Sequence, residues 1–233
     1  MSGARYDQFC ALARAAELLG ERWTLLIVRE LLLGPKRFAD LASHLQGVSP
    51  TVLSARLSAL TERGLIRKVT LPPPVATPVY ELTAAGEGLR PAIRELIRWG
   101  GQFLFPTRPG EVFEPAWALL ALDAIARRTP TPPVTFRLHL VHGGKAATFR
   151  VEGGPSGTSV AAAGEGAFDA AIETGFETLL QILSGAVPVA TAIADGSAVV
   201  EGPDAALRVL PDLFDLAERR TGAGGTGRNE ERD

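Results

Sequence analysis

The residues of this chain best placed to do chemistry are suited to recognition rather than to bond making. Between Ser49 and Leu60, setting Leu53, Leu57 and Leu60 on one face of a helix turns Thr51, Ser54, Ala55 and Ser58 to the other. Small hydroxyl and methyl groups let a helix approach the floor of a DNA groove and meet base edges there. Arg56 flanks that face, with the reach for a phosphate or a guanine edge. Lys36 and Arg37 sit at the start of the helix before it, where cations and free N–H groups can hold a phosphate. Ser49 opens the reading helix, and Arg67 and Lys68 follow it on a strand. The same small-residue face also suits a solvent-exposed helix or one packed on another helix, and periodicity does not separate these readings.

Other groupings point away from catalysis. His139 and His142 lie three apart in an alternating stretch, so they face opposite ways and cannot share a metal. His44 stands alone. No serine sits in a nucleophile elbow, and Gly143-Gly144-Lys145 reads as a hairpin turn, not a phosphate loop. One cysteine, Cys10, excludes an intrachain disulfide and a Cys-rich zinc site. Arg14, one turn further on, would favour a reactive thiolate there, while a buried interface cysteine fits the position too. No metal, no cofactor and no enzymatic activity are expected.

The elements that must position these residues are set by periodicity and breakers. Helices are expected over 8–20, 22–33 and 37–45, with Gly20 and Gly34-Pro35 as stops. Ser49 is a good N-cap and Pro50 suits the first helical position of the fourth helix, which Gly64 ends. Residues 65–69 and 79–82 read as a hairpin around the proline-rich stretch Leu71 to Pro78. Thr83 caps a fifth helix expected to run to about residue 103, with Pro91 tolerated early in it. Its apolar face, including Leu89, Ile93 and Ile97, suits a dimer interface or packing on the second half of the chain. After the linker 105–110 the pattern changes. A helix is expected over 115–128, and a hairpin of 134–142 and 146–152 joined by Gly143-Gly144. A short strand at 159–163, a helix over 168–184, a helical turn at 188–194, a strand at 198–201 and a helix over 203–219 complete it.

Composition frames the class. The chain has 233 residues, 46% hydrophobic and 21% charged, enough for two cores. A polar N-terminus without a signal-like core, and no apolar run of membrane length, predict a cytoplasmic protein with no membrane partner. Net charge is −2 but uneven. Residues 1–104 hold 13 basic against 9 acidic residues, and 105–233 hold 11 against 17. Residues 22–68 alone hold 8 against 3. Phosphate attraction acts locally, within about 8–10 Å, so a basic segment inside an acidic chain favours nucleic acid.

The order helix, helix, turn, helix, hairpin is that of a winged helix-turn-helix. Residues 10–100 resemble the HxlR-type family of transcription regulators. The similarity runs through the stretch from Leu18-Leu19-Gly20 to Trp23-Thr24-Leu25-Leu26-Ile27, then Arg29-Glu30-Leu31-Leu32 and Gly34-Pro35-Lys36-Arg37-Phe38. It continues in Leu53-Ser54-Ala55-Arg56-Leu57, Leu60, Gly64-Leu65-Ile66, Tyr80-Glu81-Leu82-Thr83 and Trp99-Gly100. The resemblance implies a homodimer on double-stranded DNA, joined by its first and last helices, with one recognition helix per half of a palindromic operator. Family wings usually carry a basic residue near the tip; this tip has none, so the wing contact is expected from Arg67 and Lys68 at its base. Cys10 takes the place of a cysteine near the start of many family members, some of which sense oxidants or electrophiles, although Ala11 stands where a proline is usual.

The second half resembles the sterol-carrier-protein-type fold, most clearly from Gly175-Phe176-Glu177-Thr178-Leu179-Leu180 to Gly185, at Ala192 to Gly196, and at Val199-Val200-Glu201-Gly202. The resemblance implies an apolar site for a small hydrophobic effector, with Trp117, Phe136, Leu138, Phe149, Phe176 and Leu180 as lining candidates. Each also suits ordinary core. The expected fold is therefore α+β: an N-terminal winged helix-turn-helix for DNA binding and dimerisation over 1–104, a C-terminal α+β ligand-binding domain of sterol-carrier-like architecture over 111–220, and a disordered tail over 221–233. Two rivals remain at this point: a carrier of lipid or another hydrophobic molecule whose N-terminal half only dimerises, and a hydrolase or transferase using the C-terminal cleft.

Overall fold

Four helices and a hairpin open the chain. In the computed structural model, which describes residues 5–74 and 76–216, α1 spans Ala11–Leu19, α2 Thr24–Leu32, α3 Phe38–His44 and α4 Pro50–Glu62. Strands β1 (Ile66–Thr70) and β2 (Pro78–Leu82) pair antiparallel, with Ile66 opposite Leu82. The periodic apolar positions of these elements form one core of Ile27, Val28, Leu31, Leu41, Leu45, Leu53, Leu57, Leu60 and Ile66. Local signals set the boundaries. The Ser49 hydroxyl accepts the Val52 N–H at 3.3 Å, and Pro50 fills the first turn of α4. Gly64, at φ 71°, turns the chain into β1. Lys36 pairs with Tyr80 through two backbone hydrogen bonds (3.0 and 2.8 Å), which adds the α2–α3 turn to the hairpin as a third short strand.

The expected single helix from Thr83 to about residue 103 is broken. Thr83 does cap α5 (Ala84–Glu87), accepting the Gly86 N–H at 3.2 Å, but a new helix, α6, starts at Arg90 and runs to Gly100 before a 3₁₀ turn at Gly101–Phe103. Pro91 accounts for the break: its ring would clash with the carbonyl of Glu87, four residues back, so it sits in the first turn of α6 instead. Ile93 is buried in the same core as Leu120, and Leu89 and Ile97 pack against it. That face is used within the chain. Leu96 and Trp99 on α6, and Phe103 in the following 3₁₀ turn, remain exposed.

The second half is a five-stranded sheet with helices on its apolar face. A 3₁₀ turn at Pro115–Trp117 leads into α7 (Ala118–Ile125), followed by β3 (Val134–His142), β4 (Lys145–Gly153), β5 (Ser159–Ala162), β6 (Ala170–Thr174), α8 (Phe176–Leu183), α9 (Val189–Ala194), β7 (Ala198–Glu201) and α10 (Asp204–Val209). Strand order is β5-β4-β3-β6-β7, with β3 and β6 parallel and the other pairs antiparallel. Gly143 and Gly144 both take positive φ in the tight β3–β4 turn.

Three expectations fail here. The segment 168–184 is not one helix: Ala170–Thr174 is a strand flanked by β3 and β7, and the helix begins only after Gly175. All of Ala170–Thr174 except Glu173 is buried, and a short, nearly continuous apolar run inside a sheet mimics a helix in sequence. The final helix stops at Val209 because Pro211 would clash with Leu207; a 3₁₀ turn succeeds it, and Phe214 pairs in extended conformation with Ala126, which also ends the 115–128 helix early at Ile125. The stretch 221–233 lies outside the described residues. No helix among the described residues is long and apolar enough to cross a membrane.

The close approach of α5 to the hairpin gives a direct test. A Cβ on Gly86 would meet the Leu65 carbonyl oxygen and the Leu82 side chain. Gly86→Ala should cost about 1–3 kcal/mol and lower the urea midpoint at constant m-value; an unchanged midpoint would show that α5 can move away freely.

Candidate nucleic-acid interface

The site is built on α4. Its apolar stripe of Leu53, Leu57 and Leu60 is buried, which leaves Thr51, Ser54, Ala55 and Ser58 exposed along one face. The Ser58 hydroxyl donates to Glu62 Oε1 at 2.9 Å, so Thr51, Ser54 and Ala55 are the open part of that face. Arg56 in the helix and Arg63 just after it point toward α1 and the turn that follows it rather than outward. Arg56 Nη2 lies 2.7 Å from Glu21 Oε2, and Arg63 donates to the Glu17 and Leu18 carbonyls at 2.9 and 3.3 Å. The latter bonds satisfy the end of α1 and lock α4 against it. Arg56 must leave Glu21 before it can meet DNA.

The flanking cations are partly committed as well. Lys36 is held by its backbone pairing to Tyr80, and Arg37 is exposed at the start of α3. The Arg37 N–H is already accepted by Asp40 Oδ2 at 2.9 Å. The expected free helix start is therefore partly filled by the protein's own carboxylate, so a phosphate there would depend on the Lys36 and Arg37 side chains. Arg67 pairs with Glu81 at 2.6 Å, and the Lys68 ammonium lies 5.8 Å from the centre of the Tyr80 ring. Pairing costs Arg67 little at this exposure, so neither residue is locked away.

Cys10 is exposed, just ahead of α1. Arg14 does not face it; its guanidinium binds the Glu17 carboxylate at 3.1 and 3.3 Å, a stronger partner than a thiol. The Tyr6 backbone N–H, and then Arg14, hold the Glu17 carboxyl below its ordinary pKa.

The six C-terminal lining candidates do not surround one cavity. Phe136, Leu138 and Phe149 are core residues of the sheet. Phe136 and Phe149 also border a cleft of about 210 Å³ beneath residues 163–168, together with Arg137, Arg150 and Phe168. Arg137 and Arg150 stand opposite each other on β3 and β4; Arg137 lies 4.1 Å from the Phe168 ring centre, and Arg150 donates to the Ala167 carbonyl at 2.9 Å. Trp117 and Phe176 meet elsewhere, on either side of Phe113, which stacks on Phe176 at 4.6 Å and meets Trp117 edge-on at 6.4 Å. Leu180 is half-buried.

One residue escaped the sequence reading. Glu30 has no exposed surface, and its carboxylate gathers Arg29 (2.7 and 3.1 Å), Trp117 Nε1 (2.7 Å) and His44 Nδ1 (2.8 Å). His44 is thus not alone. The available signal was an acidic residue inside the apolar run from Ile27 to Leu32, since a buried charge requires partners.

Comparison with known proteins places this framework. The model of the HxlR-like helix-turn-helix family matches residues 18–108. Over 92 residues the chain is 34% identical to the HTH-type transcriptional regulator YodB of Bacillus subtilis, covering 40% of this chain and 82% of that protein. The chain belongs to the HxlR family. It is also 45% identical over 94 residues to an HTH-type transcriptional regulator of Mycobacterium tuberculosis, covering 40% of this chain and 59% of that protein's length. The solved reduced form of YodB aligns at 31% identity and TM-score 0.37, over 43% of this chain and 100% of that one. These relatives are transcription regulators, not enzymes. The HxlR match takes in α2, α3, α4, the hairpin and α6, and so the whole exposed face of α4 with its flanking cations.

The α4 cap can be tested separately from any ligand. Ser49→Ala should lower stability by about 1 kcal/mol, and Ser49→Asp should keep most of it, because aspartate also accepts the Val52 N–H. Equal loss in both variants by thermal denaturation would contradict the cap.

Proposed function

We propose that this HxlR protein reads duplex DNA with α4, as a homodimer on a palindromic operator. The observation that carries the proposal is the exposed face of Thr51, Ser54 and Ala55 on a helix whose opposite stripe is fully buried. Lys36, Arg37, Ser49, Arg67 and Lys68 surround that face as phosphate-positioning groups, and Arg56 joins them by exchanging Glu21 for the duplex. The recognition helix carries most of the readout, since the hairpin tip is proline-rich and uncharged. Dimerisation uses the first and last helices of the unit. Exposed Phe9 and Leu12 at α1, and Leu96, Trp99 and Phe103 at α6, support that choice.

The two halves divide the labour. Residues 1–104 bind DNA and dimerise. Residues 111–220 form an effector-binding unit of sterol-carrier-like architecture; the helix, hairpin, two strands, two helices, strand and helix around a sheet with one parallel pair support this reading, although the strand at Ala170–Thr174 is not part of the expected order. A small hydrophobic effector would act by binding the DNA-competent and incompetent geometries unequally. Exposed Cys10 is the candidate for oxidant sensing.

Fluorescence anisotropy with duplex from the protein's own upstream region tests the reading. Thr51→Ala/Ser54→Ala should weaken specific binding about tenfold or more while leaving non-specific duplex binding nearly unchanged. Lys36→Ala should weaken both and reduce the salt slope by about one. Unchanged specific affinity in the double variant would remove α4 as the reader.

A further inference from the structure

Glu30 joins parts of the chain that the DNA-binding reading treats separately. Its carboxylate is fully buried on α2. One oxygen, Oε2, lies 2.8 Å from His44 Nδ1 in the last turn of α3. The other, Oε1, accepts from Arg29 and from the Trp117 indole N–H at 2.7 Å each. Trp117 belongs to the C-terminal half, 87 residues on. The Arg29 guanidinium lies 3.8 Å from the centre of the Trp117 ring, so cation, ring and carboxylate form one closed cluster. Burial lowers the Arg29 pKa, and Glu30 opposes that shift.

Beyond Trp117 the contacts continue into the sheet. Phe113 meets Trp117, stacks on Phe176 at the start of α8, and meets His142 at the end of β3 at 5.5 Å edge-on. A continuous row therefore runs from Phe176 and His142 through Phe113, Trp117 and Glu30 to His44. On the far side of His44, α3 is joined to α4 only by the short turn 45–49.

We propose that Glu30 is a positioning residue for DNA recognition, which sets α3 through His44 and is itself set by the C-terminal half through Trp117. The inference rests on the reading of α4 as a DNA-binding helix. Its basis is the chemistry of one buried carboxylate. An ionised carboxylate only accepts hydrogen bonds, and a buried one that loses a donor either leans more on its remaining partners or stays under-satisfied at a cost. Withdrawal of Trp117 therefore shifts the balance between Arg29, on α2 itself, and His44, on the neighbouring α3. DNA affinity then depends on how the C-terminal half is docked, without any effector touching the helix-turn-helix.

Contiguity alone does not demonstrate coupling, so the test is a double-mutant cycle in the full chain. Trp117→Phe keeps an aromatic ring beside Arg29 while removing the indole N–H together with the second ring that carries it. His44→Ala deletes the α3 partner. Affinity for upstream duplex is measured by anisotropy at a temperature where denaturation curves show every variant folded. Each single variant should bind about fivefold more weakly or worse, and the double variant should match the weaker single within about twofold, because both act through one carboxylate. A purely structural role would move the unfolding midpoint but not the affinity of folded protein, and would overturn the proposal. So would effects that multiply, as they would if His44 touched DNA itself. Trp117→Phe binding like wild type overturns it as well. A wild-type chain that binds no duplex at all would instead contradict the reading of α4, and would take this inference with it.

Discussion

A carboxylate with no exposed surface holds this structure to a narrow choice. Leaving Glu30 buried and unpaired would cost several kcal/mol, so it can occupy that place only while Arg29, His44 and Trp117 keep their donors on it. Those donors come from α2 itself, from α3 and from the turn that opens the C-terminal half. The requirement thus fixes three elements at once. Leu120 on α7 reinforces it by joining the N-terminal core beside Ile93, and Arg98 of α6 donates to the Ala124 carbonyl at 3.2 Å. The C-terminal half is anchored to the HxlR framework by a polar tie and an apolar one.

The framework in turn decides what α4 can offer. The arginines in it and at its end are spent on α1 and the turn after it: Arg56 on Glu21, and Arg63 on the open carbonyls of Glu17 and Leu18. What remains outward is small, and small side chains favour close approach over long reach. Charge is supplied from the edges, by Lys36 and Arg37 ahead of α3 and by Arg67 and Lys68 on β1. Arg67 already pairs with Glu81, so its engagement with phosphate is an exchange of ion pairs. Exposed pairs of this kind are weak enough to exchange readily.

Much of the N-terminal half was legible in sequence because its signals are local. Ser49-Pro50, Gly64 and Thr83 act on their own neighbours, and the Leu53, Leu57, Leu60 stripe repeats at helical spacing. Where sequence reading failed, the deciding contact was distant or the pattern was ambiguous. Ala170–Thr174 is a strand because β3 and β7 flank it, which its composition does not reveal. The rings of Pro91 and Pro211 clash with carbonyls four residues back and so end the helices before them, a steric rule that an apolar stripe can mask. The grouping of His44 with Glu30 and Trp117 depends on a contact spanning 87 residues, and no spacing rule connects them. The lining candidates of the C-terminal half were chosen by residue type, and type alone does not distinguish Phe136 in the core from Phe176 against Phe113.

The most direct measurement of the central claim is hydrogen exchange on full-length protein carrying Glu30→Gln. If one carboxylate ties the C-terminal half to the helix-turn-helix, residues 38–45 and 115–120 lose protection together while β3 and β4 stay as protected as in wild type. Loss confined to residues 115–120, with α3 unchanged, would contradict the account.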